Sequence, residues 1–313
     1  MKEYQVSLKA GITRTKEFER KLLATHAVNV GLKCGHGCLY CSTPSLLRCH
    51  TGFRSVKKNP FDEGYSIVDP KTPSRIREDV HKLKRHHMVM LSTTTDAWSP
   101  EAQRFNLGNE CLQLLLGQGE SIVRVLTKNA AVEDSLQLMS AHSGRVRLSL
   151  SLSGPPSRQD IMKLIEPHAS SLSERLEALR RADLMGVPTY GMLCPCLPGI
   201  SDSPKALEEM FGAVMACNPE DIWLEPVNPR GPGLIRCAEV LKQAGFHEEA
   251  DAMNAIRSRT NWNDYAVNLV KNAQEAAAKV NMLDRLHILI YSKQLSNEGR
   301  NKLMSDGQRV VWL

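Results

Sequence analysis

"HAVNVGLKCGHGCLYC", residues 26–41, runs from an apolar segment straight into three cysteines. Three residues separate Cys34 from Cys38, and two separate Cys38 from Cys41. The run 26–32 reads as a short buried strand, which puts the cysteines just past its end. Four thiolates would close a tetrahedral zinc site or a four-iron cluster. Three leave one position open, as in a cubane [4Fe-4S] cluster with one iron free for another ligand. Cys49, eight residues past Cys41, is an alternative fourth donor for a structural zinc site. Zinc sites usually pair two C-x2-C knuckles, and only one is present.

Outward from this stretch, strands and helices alternate. Strands are expected at 26–32, 87–94, 122–128, 145–154, 187–199 and 221–228, with helices at 105–119, 132–144, 171–186 and 203–218. The helix at 171–186 has explicit punctuation: Ser171 and Glu174 form a capping box and Gly186 is the stop. This rhythm builds right-handed crossover units and a parallel sheet. Six units predict an α/β fold, a partial (β/α)6 TIM-like barrel whose active site lies at the C-terminal ends of its strands. Residues 1–25 read as an N-terminal lead-in, 26–232 as the barrel and 233–313 as an α-rich C-terminal extension. The segment 42–73 reads as a long loop, a length that often marks function.

The chain has 313 residues, 42% of them hydrophobic and 24% charged, which is ordinary for a globular protein. No apolar run is long enough to cross a membrane. The polar first residues lack the apolar core of a signal peptide, so a cytoplasmic location is expected. Net charge is +6, from 40 basic and 34 acidic residues, which permits an anionic partner without requiring one. Nine cysteines is an odd count, and a chain this large does not need disulfide staples.

The motifs "NVGLKCGHGCLYC", "LSTTTDAWSPEAQ", "VRVLTKN", "LSLSLSG", "IEPHASSLSERLEALRRADLMGVP" and "PCLPGISD" follow one another between about residues 26 and 230. Their order resembles the radical S-adenosylmethionine superfamily, and within it the spore photoproduct lyase-like branch. The resemblance implies that Cys34, Cys38 and Cys41 hold a [4Fe-4S] cluster whose open iron chelates S-adenosylmethionine. Reductive cleavage then gives a 5′-deoxyadenosyl radical that takes hydrogen from a substrate. It further implies that Thr95, Asp96, Lys128 and a serine of strand four, Ser151, line the S-adenosylmethionine pocket, with Arg175 near its carboxylate. A reductant such as flavodoxin or ferredoxin is the implied partner. The lyase of that branch uses a cysteine where Thr93 stands here, and a tyrosine where Ser42 stands. Both departures tell against repair of that DNA lesion, so the resemblance implies the reaction class and leaves the substrate open.

The residues support part of this independently. Strand four alternates Val146, Leu148, Leu150 and Leu152 with Arg147, Ser149, Ser151 and Ser153, so serines share one face. On a parallel barrel strand that face turns to a polar lumen; on an antiparallel strand it would meet solvent. Lys128 ends an apolar strand, where a cation meets a carboxylate or simply solvent. Asp96 serves equally as a turn cap, and Arg175 as a surface ion pair. Glu225, Asn228 and Arg230 end strand six, placed for substrate or ribose, or set there by a turn before Pro229. Tyr40 is a candidate hydrogen relay or a packing group, and His36 a loop residue or a neighbour of the cluster. Cys194 and Cys196 are packed cysteines or candidate thiol donors, with Cys196 taken as the catalytic one. The competing reading is a nucleic-acid-binding protein with a structural metal, motivated by the basic stretches 55–58 and 82–87. The two overlap in an enzyme that acts on a nucleic acid or nucleobase.

Overall fold

The computed structural model describes residues 1–305 and 310–313. Its strands are β1 (Lys2–Gln5), β2 (Thr13–Arg14), β3 (His26–Val28), β4 (Gly31–Lys33), β5 (Tyr65–Val68), β6 (Met88–Leu91), β7 (Ile122–Thr127), β8 (Val146–Leu150), β9 (Gly191–Cys196), β10 (Ile222–Pro226), β11 (Leu286–Ile290) and β12 (Val310–Trp312). β3, β6, β7 and β8 pair in parallel, in chain order. Two parallel bridges, Leu148 to Thr189 and Leu152 to Leu193, carry the wall on to β9. From there β9, β10, β11 and β12 continue it in parallel. The six expected strands are β3 and β6–β10, and the fold is the expected α/β type.

Alternation along the strands explains the curvature. Val89, Leu91, Val123, Val125, Leu148 and Leu150 pack outward against helices, among them Leu112, Leu115 and Leu116 of Leu107–Gln118 and Leu179 of Leu172–Leu184. Met90, Met192, Trp223 and Leu289 point the other way and share one inner cluster, although they come from β6, β9, β10 and β11. A flat sheet could not bring side chains of β6 and β11 together, so the wall bends around a lumen. The capping box of Ser171 and Glu174 opens the helix Leu172–Leu184 as its sequence requires. Gly186 ends it at φ +73, a left-handed conformation that glycine adopts without a Cβ clash.

Three expectations change. The run 26–32 is two strands, not one. β3 stays in the barrel wall, while β4 turns away and pairs antiparallel with β5. Asn29 makes the break, because its Oδ1 accepts the backbone N–H groups of Thr93, Thr94 and Thr95 at 2.9, 2.7 and 3.2 Å. Gly31 permits the close crossing, since a Cβ there would lie 2.1 Å from the Ile67 carbonyl oxygen. The segment 42–73 is not a plain loop. It holds the short helices Thr43–Leu46 and Thr51–Ser55 and then β5, which also pairs in parallel with β1. Residues 233–313 are helical over Gly233–Gln243, His247–Ala255 and Arg259–Lys279, as expected, but then supply β11 and β12 to the barrel wall. "LHILI" suits that place: Leu286, Ile288 and Ile290 face the helices and Leu289 the lumen, the double-sided burial of an inner parallel strand. Among the described residues no helix is long and apolar enough to cross a membrane.

Candidate active site

A cavity of about 270 Å³ opens at the C-terminal ends of the strands. Cys34, Cys38 and Cys41 line one side, on the turn after β4, and all three thiols are free. The turn is pinned by main-chain bonds from Leu39 N to Ile165 O at 2.9 Å and from Cys41 N to Cys38 O at 3.2 Å. Burial pushes the Cys38 thiol up to about 12, with the nearby Glu166 carboxylate adding to the rise. The same burial raises Cys34 well above an ordinary thiol. Among the described residues no group of three or more His, Cys, Asp or Glu side chains is gathered to hold a single metal ion.

His36, between the first two cysteines, is buried. Its Nε2 lies 2.9 Å from Asp96 Oδ2 and its Nδ1 lies 3.1 Å from the His168 carbonyl oxygen. Both partners are acceptors, so both ring nitrogens carry hydrogen. Burial opposes that charge, but Asp96 outweighs it and raises the imidazole pKa. Asp96 also takes the cap position foreseen for it, accepting Trp98 N–H at 2.9 Å. Thr95, beside it, accepts Val30 N–H at 3.1 Å through Oγ1 and lies on the cavity wall.

A buried charge cluster forms the floor on this side. Lys128 Nζ contacts Ser151 Oγ at 3.0 Å, Ser153 Oγ at 2.9 Å and Glu166 Oε1 at 3.0 Å. The strand-four serines thus face the lumen. Glu166 also accepts from Arg175 and from the Tyr40 hydroxyl. Burial alone would raise the Glu166 carboxyl; Arg175 and Lys128 overcome it and hold the group far below the usual carboxylate range. The two cations outnumber the one carboxylate between them.

Two expected site residues lie elsewhere. Arg175 is neither a surface ion pair nor on the cavity wall. It is 1% exposed, and its remaining donors go to Ser151 O and Ser170 O, both at 2.8 Å, so it acts behind Glu166. Cys196 is fully buried, with Sγ toward Leu193 O: the register of β9 against β10 shifts between Leu193 and Cys196, so Cys196 joins Leu193 in the helix-facing core and not Cys194 on the lumen face. Cys194 is the thiol on the cavity wall, 3.7 Å from Glu225 Oε2. Burial and then Glu225 push it up to about 12.

The opposite side joins distant parts of the chain. Lys21 Nζ meets the Glu225 oxygens at 3.1 and 3.0 Å, and Tyr291 donates its hydroxyl to Glu225 Oε1 at 2.8 Å. Burial would lower the Lys21 pKa, but the Glu225 carboxylate lifts it above the ordinary lysine value. With both oxygens engaged, Glu225 is a hub for the two end segments. Asn228 and Arg230 line the mouth, where the exposed Arg230 guanidinium sits 6.0 Å above the Tyr291 ring. Lys21, Glu166 and Tyr291 were not foreseen. Glu166 alone carried a signal, as an acid ending the apolar run "IMKLIE".

Comparisons with known proteins agree with this geometry. The family profile described as Radical SAM superfamily matches residues 28–211. The uncharacterized protein ORF301 of Acidianus two-tailed virus is 26% identical over 211 residues, covering 66% of this chain and 68% of its own. The uncharacterized protein Rv2578c of Mycobacterium tuberculosis is 22% identical over 210 residues, covering 66% of this chain and 59% of its own. Among solved structures, a spore photoproduct lyase mutant superposes with a TM-score of 0.61 at 14% identity, over 91% of this chain and 80% of that one. A spore photoproduct lyase complexed with dinucleoside spore photoproduct gives a TM-score of 0.58 at 13% identity, over 91% and 81%. At those identities the likeness concerns the fold.

Proposed function

The chain belongs to the radical SAM superfamily, and on that premise we propose that it is an enzyme in which Cys34, Cys38 and Cys41 hold a [4Fe-4S] cluster and the adjoining cavity binds S-adenosylmethionine. Together, when bound and reduced, these groups supply a 5′-deoxyadenosyl radical that removes a hydrogen atom from substrate. The observation that carries the reading is the convergence of three free thiols, the Lys128 ammonium and the Ser151 hydroxyl on one cavity at the strand ends. The donor set fits: the three thiols of one turn line the cysteine side, while the fourth thiol on the cavity wall, Cys194, belongs to β9 and meets Glu225, and the excess cation of the Lys128–Glu166–Arg175 cluster suits an anionic occupant. Thr95 and Ser151 offer hydroxyls to a polar cofactor, and Lys128 a cation to its carboxylate. Asp96 holds the cysteine turn to the ends of β6 and β7. Leu126, Met192 and Val227 keep the cavity partly apolar, which limits water around a reactive radical. The electron comes from a flavodoxin- or ferredoxin-type donor.

For substrate we infer a nucleic acid or nucleobase. Residues 42–61 follow the cysteine turn with Arg48, Arg54, Lys57 and Lys58 and without Asp or Glu. Leu46 of this segment lines the cavity and Arg230 stands on its wall. Arg230 on the wall of a partly apolar pocket, with a basic, acid-free segment entering it at Leu46, suits a phosphodiester chain with one base inserted. The stretch 82–87 precedes β6 and so lies at the opposite ends of the strands, away from the cavity. The test is anaerobic: reduced, iron-loaded protein with S-adenosylmethionine and single- or double-stranded oligonucleotides. Formation of 5′-deoxyadenosine carrying deuterium from a labelled oligonucleotide supports both parts. Cleavage that no oligonucleotide stimulates or labels removes the substrate assignment, and no cleavage at all removes the reaction class.

A further inference from the structure

Two acids leave the segment after β6 five residues apart, and neither is free to meet a ligand. Asp96 is 8% exposed and Glu101 4%. Asp96 Oδ1 accepts Trp98 N–H at 2.9 Å and the Thr127 hydroxyl at 2.8 Å. Its Oδ2 accepts His36 Nε2 at 2.9 Å and Lys128 N–H at 2.8 Å. A carboxylate offers about four lone-pair sites, and these four donors fill them. Glu101 receives Gly35 N–H on both oxygens, at 3.0 and 2.9 Å, and the Ser99 hydroxyl on Oε1 at 2.7 Å. Gly35 follows Cys34 directly, and His36 stands between Cys34 and Cys38. A Cβ on Gly35 would lie 2.3 Å from Glu101 Oε2, so the carboxylate occupies the space a side chain would need.

We propose that Asp96 and Glu101 are positioning residues that clamp the cysteine turn, through His36 and through Gly35, in the shape that receives the cluster, and that Asp96 is not a contact for S-adenosylmethionine. Without Glu101 the buried Gly35 N–H loses its acceptor, and the turn must rotate to find water. Without the Asp96 carboxylate the His36 ring loses its charged partner, and the turn loses its tie to β7. Groups behind the ligands then set how tightly the ligands hold iron. The inference rests on the cysteine turn being the cluster site.

The test reads iron and not turnover. Wild type, Glu101→Ala, Glu101→Gln, Gly35→Ala and Asp96→Asn are reconstituted anaerobically, and iron loss to a ferrous chelator is timed. Thermal melting of each protein checks its fold. Glu101→Ala should release iron roughly tenfold faster than wild type. Gly35→Ala, which keeps the carboxylate but displaces it by one methyl group, should do the same. Glu101→Gln should approach wild type, because its amide oxygen still accepts Gly35 N–H. Wild-type release rates in folded Glu101→Ala and Gly35→Ala overturn the Glu101 half. Should Glu101→Ala fail to fold, Gly35→Ala decides alone. Asp96→Asn should also lose iron faster. If it retains iron but no longer binds added S-adenosylmethionine, Asp96 is a cofactor contact and that half is overturned. A wild-type protein that takes up no iron at all marks the failure of the cluster reading itself.

Discussion

The two sides of the cavity are built differently. The cysteine side is made by residues close in sequence to one run of the barrel wall: Cys34 to Cys41 after β4, which leaves the wall beyond β3, Asp96 after β6, Lys128 after β7, and Ser151 and Ser153 after β8. The far side is made by Lys21, Glu225 and Tyr291, which lie 204 and 66 positions apart in sequence. On the cysteine side the charges do not balance, since Lys128 and Arg175 share Glu166. On the far side Lys21 pairs with Glu225 and also with Glu17 at 3.5 Å, and Arg230 stands over the Tyr291 ring, so two cations face two carboxylates. An unbalanced wall suits a charged ligand, whereas a balanced one serves to hold the chain's two ends against the barrel. If the proposed function holds, the contrast assigns cofactor binding to one wall and substrate enclosure to the other, and variants should separate the two.

The largest effect on stability is expected from Glu166→Gln. It leaves Lys128 and Arg175 without their buried counter-charge, at a cost of about 3–5 kcal/mol in urea denaturation. The pH dependence should change with it. Glu166 is held below its ordinary value of 4.5, so its contribution is complete above that pH and fades as pH falls below it toward the folded-state value. Urea midpoints followed from neutrality to about pH 3 should fall more steeply for wild type than for the variant. Equal slopes would mean that Glu166 is not the carboxylate this wall depends on.

Next is Lys21→Met, which leaves the Glu225 carboxylate without its cation, with the Tyr291 hydroxyl and the Cys194 thiol as its remaining partners, and should cost about 3 kcal/mol. This protein should still bind iron and cleave S-adenosylmethionine, while transfer of label from substrate falls. Loss of iron together with coupling would erase the distinction between the walls. The smallest effect belongs to Arg230→Ala. It should leave iron content and fold unchanged and lower the salt dependence of oligonucleotide binding by about one phosphate contact. An unchanged salt slope would detach Arg230 from the proposed substrate path.

The same contrast governs what the sequence made legible. The cysteine side could be read because its residues sit in short motifs whose spacing survives folding: C-x3-C-x2-C, the serines at every second position of 149–153, and the capping box at Ser171. Its errors came from not knowing which way a side chain turns. Cys194 and Cys196 are equivalent in sequence, yet β9 sends them to opposite faces. Arg175 shares the buried face of its helix with Leu172 and Leu179, so it stands behind Glu166 and not on the cavity wall or in a surface ion pair. Asn29 hid inside an apolar run that looked like one strand. The far side could not be read at all. Lys21 stands in a charged stretch without periodicity, and Tyr291 follows a strand that appeared to belong to an extension. Only the parallel pairing of β10 with β11 brings Tyr291 to Glu225.

The central claim is that Cys34, Cys38 and Cys41 together hold a cluster with one open iron. The most direct measurement is iron and sulfide content with electron paramagnetic resonance of the reduced, anaerobically reconstituted protein, before and after S-adenosylmethionine is added. About four irons per chain are expected, with a spectrum that shifts on addition and disappears in Cys34→Ala, Cys38→Ala and Cys41→Ala. A colourless zinc protein, or an iron signal that survives loss of these cysteines, would contradict the account.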